Sequence, residues 1–409
     1  MKIKKVTTAV VEANFDWTFV KVETDSGLTG IGEAFCSPGL TKVIKEFGSL
    51  LIGKDPLQIE PLVRDMRYAG SPSGSSGLIF HAITGIETAL WDIIGKHLDA
   101  PLWQLFGGSY REKVQIYADC HAGDALESLD PLLQPRKPAW DRSKSQWSPD
   151  IGTYSPEILD DYTPEAYAEK AKKMVAEGFT ALKFDLDVPN PYSRDKYNSS
   201  LSNEEINYLA SLMKGVRDAV GSGIDIAADC HWKFSPDASI RLANALAPYK
   251  LLWLEDPIPP ENIDAMRYVT DRSPVPILSG ENLYGRYGFR EIIEKQAVSI
   301  VAPDFQKTGG LSEARRIAEM ADSYYMPVAP HNISSPIGTM ASVHLSAAIP
   351  NFLVLEWHAS DVPFWNDIVN ESHIIQNGFV KIPDKPGIGL TLNEDTIRKY
   401  AKPGETVFE

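Results

Sequence analysis

Asp229, Glu255 and Glu281 recur at intervals of 26 residues, and each ends a short apolar run: Ile224 to Ala228, Leu251 to Leu254, and Val275 to Leu278. A strand–helix unit of an α/β barrel takes roughly 25 to 30 residues, and such a barrel sets the carboxyl ends of its parallel strands side by side. Three acids spaced this way converge on one spot, where their repulsion calls for a cation. Hard oxygen ligands, with Cys230 the one thiol nearby, point to Mg²⁺ (or Mn²⁺) rather than zinc. The rhythm continues through Asp304, His331 and Glu356, at steps of 23, 27 and 25 residues. Any one of these is equally readable as a surface acid, a helix cap or a buried histidine. Six polar residues closing strands at one interval are not explained by packing.

The elements that must position them follow from pattern. Strand candidates fall at 114–118, 180–184, 224–228, 251–254, 275–279, 299–302, 327–329 and 352–355, alternating with helical periodicity at 164–177, 203–220, 237–247, 261–270, 287–295, 311–323 and 337–347. Residues 114–369 are therefore predicted to be a (β/α)7–8 TIM-type barrel. Residues 1–113 read as an α+β capping domain. A hairpin turns at Asp25-Ser26-Gly27, and helices follow at 40–51, 57–67 and 79–97, with a Gly/Ser loop at 70–77. The tail, 370–409, is expected to return to the cap. A long aperiodic insert, 122–162, carries Arg136, Trp140, Arg142 and Trp147 and is expected to contact substrate or a neighbouring subunit.

The 409 residues carry a net charge of −15 with a pI near 5.1, which argues against a nucleic-acid or anionic-membrane partner. Three cysteines (Cys36, Cys120, Cys230) make no disulfide framework. No signal peptide and no apolar run of membrane-spanning length is expected, so a cytoplasmic location is.

The order of a small α+β cap, Lys183-Phe184-Asp185, the three acids, Asp304 with His331, and Glu356 resembles the enolase superfamily and, within it, the mandelate racemase subgroup. The likeness runs from the first strand to Lys385–Gly389, with the 122–162 insert as the main departure. Asp229-Cys230-His231 is similar to the Asp-x-His motif of acid-sugar dehydratases such as galactonate dehydratase, where the histidine is a general acid. Racemases of the subgroup carry Lys-x-Lys where this chain has Lys183-x-Asp185, which resembles the gluconate/arabinonate dehydratases of archaea. Mannonate dehydratases share Asp-x-His but lack an Asp/His dyad. The resemblance implies Mg²⁺-dependent dehydration of a gluconate- or galactonate-type sugar acid to a 2-keto-3-deoxy acid, in a homo-oligomer. The alternatives are a racemase or epimerase working through His331 and Lys183, and a sugar-acid-binding protein without turnover.

The chemistry gives each residue a reason. A proton next to a carboxylate is too weakly acidic for a side chain alone, and a dication spreads the charge of the enediolate, as the superfamily is known to do. His331, oriented by Asp304, is the expected base, and His231 the acid that releases the 3-hydroxyl. Alternation along an extended strand places His231 on the side of Asp229. Glu356 is expected at the enolate oxygen and Lys183 at the substrate carboxylate, with Asn282 and Gln306 behind them. Asp185, Trp17 and His121 are candidate substrate contacts, as are Phe15 and Ser71 to Ser76 in the cap loops.

Overall fold

The computed structural model describes residues 1–122, 138, 140, 161–193, 198–371 and 373–409. Strands β1 (Ile3–Glu12), β2 (Asp16–Thr24) and β3 (Thr29–Ala34) form an antiparallel sheet backed by helices α1 (Leu40–Leu51), α2 (Ile59–Gly70) and α3 (Leu78–His97). The β2–β3 turn places Gly27 at φ +86°, the left-handed region that favours glycine. Helix α3 lies directly on β3. A Cβ at Gly30 or Gly32 would sit 2.0 or 2.1 Å from the carbonyl oxygens of Ala89 and Gly85, so only glycine permits the approach. By length and apolarity α3 is long enough to cross a membrane, contrary to the sequence reading. It is 83% buried and serves as the core helix of the cap.

Parallel strands β4 (Lys113–Cys120), β5 (Ala181–Asp185), β6 (Asp225–Asp229), β7 (Leu254–Glu255), β8 (Ile277–Ser279) and β9 (Ile300–Val301) pair in sequence order. Val328 bridges β9 to Phe352, and β10 (Leu355–Trp357) pairs back onto β4, closing a ring of eight. Two of the predicted strands shift, 251–254 to 254–255 and 352–355 to 355–357, and 327–329 shrinks to the single bridging residue Val328. The physical reason for the short ladders is proline. Leu254 and Val301 donate to the carbonyls of Pro276 and Pro327, which have no N–H to return the bond.

Helices Pro164–Ala176, Asn203–Val220, Pro236–Leu246, Ile263–Thr270, Gly285–Glu294, Leu311–Asp322 and Pro336–Ala348 surround the strands. Their starts are written locally. Thr163, Ser202, Ser235, Asn262 and Ser335 accept backbone N–H bonds as caps, and three of them precede a proline in the first turn. Among the described residues of the tail, Phe379–Lys381 adds an antiparallel strand to β4, and Ala401 and Val407 bridge to β1. Buried acids dock the cap on the barrel. Glu87 accepts from the amides of Leu311 and Ser312, and Glu33 from those of Ser335 and Gly338, each at the positive end of a barrel helix. Of the insert, Trp140 donates from its indole to the carbonyl of Glu12 and packs on Phe364. Arg136, Arg142 and Trp147 lie outside the described residues.

Candidate active site

Alternation along the barrel strands sorts inward side chains into layers. The lowest is apolar: Tyr117, Ala181, Ala227, Trp253, Leu278, Ile300, Ala329 and Val354 among others. Directly above it lies a ring of charge: Asp119, Lys183, Asp229, Glu255, Glu281, Asp304, His331 and Glu356, all buried. All eight expected catalytic and metal residues but His231 sit in this ring. Asp119 is the member that sequence reasoning missed.

Ligand oxygens of Asp229, Glu255 and Glu281 lie within 4.8 Å of one another. Glu255 accepts from the Trp253 indole through Oε2, 2.8 Å away, while Oε1 is buried with no hydrogen-bond partner among the described residues. Burial, and then the charge of Asp229, push the Glu255 carboxyl well above the usual carboxylate range. Such a site is short of positive charge and built only of oxygen, so these residues fit a hard divalent cation. The backbone strains to present them: Asp256 follows Glu255 at φ 37°, and Gly280, at φ 146°, precedes Glu281 with no room for a side chain against Phe289 and Ala302.

Lys183, the residue expected at a substrate carboxylate, is enclosed by the protein's own acids and is 1% exposed. Its Nζ lies 2.8 Å from Asp229 and Glu356, 3.2 Å from Glu255 and 3.5 Å from Asp119. Burial opposes its charge, but those four carboxylates outweigh the loss of solvent and raise its pKa well above the ordinary value.

His331 donates from Nδ1 to Asp304 at 2.7 Å, and its Nε2 faces Glu281 at 3.5 Å and Glu356 at 3.9 Å. The amide of Gln306 holds the other Asp304 oxygen, while Asn282 binds Lys307. Burial lowers the His331 pKa, yet Glu281, Glu356 and Asp304 more than reverse this and lift it to about 9. Glu356 accepts from the amide of Asn332, which steadies the loop bearing His331.

His231 stands near Asp229, but not through strand alternation. Strand β6 ends at Asp229, and His231 and Trp232 take left-handed φ values of 39° and 60°. The turn brings Nε2 to 3.9 Å from Asp229 and lets Nδ1 pair with Asp187 at 2.9 Å, with Asp185 at 4.0 Å. Burial disfavours the charged ring, but Asp229, Asp187 and Asp185 drive its pKa well above the ordinary histidine value. Its side chain remains 31% exposed, accessible to a ligand. Asp185 thus faces His231 rather than Lys183. Asp187 was legible as the third member of an alternating Lys183-x-Asp185-x-Asp187 series.

His121 directly follows β4, with Nε2 3.9 Å from Asp361, and His358 donates to Asp119 at 3.0 Å. Trp17 is committed elsewhere: its indole donates to the carbonyl of Ile333 and packs edge-on against Phe364. Phe15 meets the ring of His358, and Ser71 to Ser76 are exposed.

Around the closed ring, His331 follows the seventh strand and His231 the third, so four strands separate them in either direction. They face one another across the mouth, with the acid trio on strands three to five.

Residues 3–107 match the mandelate racemase/muconate lactonizing enzyme N-terminal domain, and residues 166–396 the enolase C-terminal domain-like family. D-xylonate dehydratase of Haloferax volcanii is 42% identical over 410 residues, spanning 100% of this chain and 91% of that protein. A mandelate racemase/muconate lactonizing enzyme-like protein from Rubrobacter xylanophilus superposes with a TM-score of 0.89 at 37% identity, covering 100% of this chain and 99% of the other. A member of the enolase superfamily from Salmonella Typhimurium gives 0.82 at 28% identity, with 98% of each chain covered. The chain belongs to the mandelate racemase/muconate lactonizing enzyme family of the enolase superfamily, and within it to the acid-sugar dehydratases.

Proposed function

We propose that this enzyme removes water from a five- or six-carbon aldonate to give the 2-keto-3-deoxy acid, with D-xylonate the first substrate to test and gluconate and galactonate next. Asp229, Glu255 and Glu281 would hold Mg²⁺, or Mn²⁺ in its place, and the ion when bound supplies Lewis-acid stabilisation of charge at the carboxylate end of the substrate. His331 Nε2 takes the proton from C2, and Asp304 keeps the ring oriented and balances the charge it gains. The C3–O bond then breaks as His231 gives its proton to the departing hydroxyl, which leaves as water. The remaining enol gains a proton at C3 and loses one from its C2 oxygen, completing the keto acid. Lys183 keeps the crowded ring of carboxylates in place, and Glu356 holds the His331 loop.

One observation carries this reading: a base and an acid on opposed strands, with a three-acid site between them. A racemase needs a second base facing His331. Lys183, the residue that role would fall to, is enclosed by four carboxylates. The test is a screen of aldonic and aldaric acids, read by semicarbazide detection of 2-keto product with and without EDTA. Deuterium exchange at C2 with no keto product would favour the racemase instead.

A further inference from the structure

At the carboxyl ends of three barrel strands the chain reads acid-x-His, with the histidine just beyond the strand: Asp119-Cys120-His121, Asp229-Cys230-His231 and Glu356-Trp357-His358. In each, the acid belongs to the charged ring and the middle residue packs into the surrounding core; the histidine lies beyond it, at His231 by way of a left-handed turn. The proposed reaction uses His231 alone. The other two histidines belong to strands one and eight, diametrically opposite Glu281 and Glu255 on strands five and four. Their rings lie 6.3 Å apart.

Resting on the dehydratase reading above, we propose that His121, His358 and Asp361 form the subsite that grips the hydroxyl groups of the aldonate beyond C3. The carboxylate end of the substrate belongs with the acid trio, and C2 and C3 lie between His331 and His231. The rest of the chain must leave on the far side, over strands eight and one. There Asp119 fixes the His358 ring through Nδ1, and Asp361 stands 3.9 Å from His121. Neither carboxylate oxygen of Asp361 is hydrogen-bonded to another described residue, although its side chain is only 15% exposed. A desolvated acceptor pair beside two imidazoles suits vicinal hydroxyls, which both donate and accept. The cap closes this end: Asn14 donates to the carbonyl of His358 at 2.6 Å, and Phe15 covers its ring edge-on at 5.5 Å.

The test measures binding in the magnesium-loaded His331→Asn background, where substrate stays intact. Affinity is compared between the best-bound of xylonate, arabinonate, gluconate and galactonate and glycerate, which lacks every carbon beyond C3. Asp361→Asn and, separately, His121→Asn should reduce the preference for the longer acid at least about 10-fold, the worth of one hydrogen bond to a charged group. An unchanged preference, or equal losses for both ligands, would overturn the subsite. Loss of the preference in a protein whose wild type makes no keto product would uphold the subsite and sink the dehydration instead.

Discussion

His331 and His231 follow strands four places apart in a ring of eight, so they stand on opposite sides of the barrel mouth. The two histidines also differ in partner. Asp304 alone fixes Nδ1 of His331, while His231 sits among Asp187, Asp185 and Asp229. On the proposed reading His331 accepts the C2 proton and His231 supplies one to the leaving hydroxyl.

That division predicts separable mutants. His331→Asn should lose both C2 proton exchange and dehydration by about 10²–10⁴-fold, the usual worth of a positioned acid–base group. His231→Asn should keep exchange in D₂O, read by NMR, while losing keto-acid formation. Simultaneous loss of both in His231→Asn would remove the separate acid role.

Metal dependence is the second prediction. EDTA should abolish turnover, and Mg²⁺ or Mn²⁺ restore it. Because a ligand that binds only the folded state stabilises it, adding Mg²⁺ to stripped protein should raise the Tm. Glu255→Gln should lose that Tm shift along with the activity.

The pH behaviour of His331 follows from its neighbours. Without metal, its pKa of about 9 lies above the ordinary 6.5. Its contribution to stability is then fully present below pH 6.5 and disappears as pH rises through about 9. A cation at Glu281 takes up much of the negative charge facing Nε2, so Mg²⁺ should lower this pKa. NMR titration of the ring with and without Mg²⁺ checks the direction, and a pKa unmoved by metal would contradict the site.

Lys183→Met should destabilise the metal-free protein by about 3–5 kcal/mol, because breaking a buried charge pair leaves its partners uncompensated. Four carboxylates lose their cation at once. Chemical denaturation measures the loss, and Lys183→Arg should not rescue it, since the guanidinium is larger than the space the ammonium fills.

Glu87→Ala should cost about 1–3 kcal/mol by orphaning the buried amide of Leu311 and the partly buried amide of Ser312. The same denaturation experiment reads it. Turnover of the remaining folded enzyme should change little, because Glu87 touches cap and barrel helix but no member of the charged ring.

Sequence spacing by itself determined the barrel, the acid trio and the Asp304–His331 pair, because one strand–helix unit per residue in question is a property of chain length and periodicity. Helix starts were equally local, written in Ser, Thr and Pro. Tertiary structure decided what period cannot encode. Lys183 is the hub of four acids because strands one, three, four and eight all point at it, and pairing across a closed ring is invisible in linear order. Asp119 and His358, 239 residues apart, meet only because the last strand closes on the first. His231 reaches its place through a left-handed turn that alternation does not foresee. Trp17, bulky and near a cap loop, was drawn into the core by Ile333 and Phe364, since burying an indole with its N–H paired outweighs leaving it at the mouth.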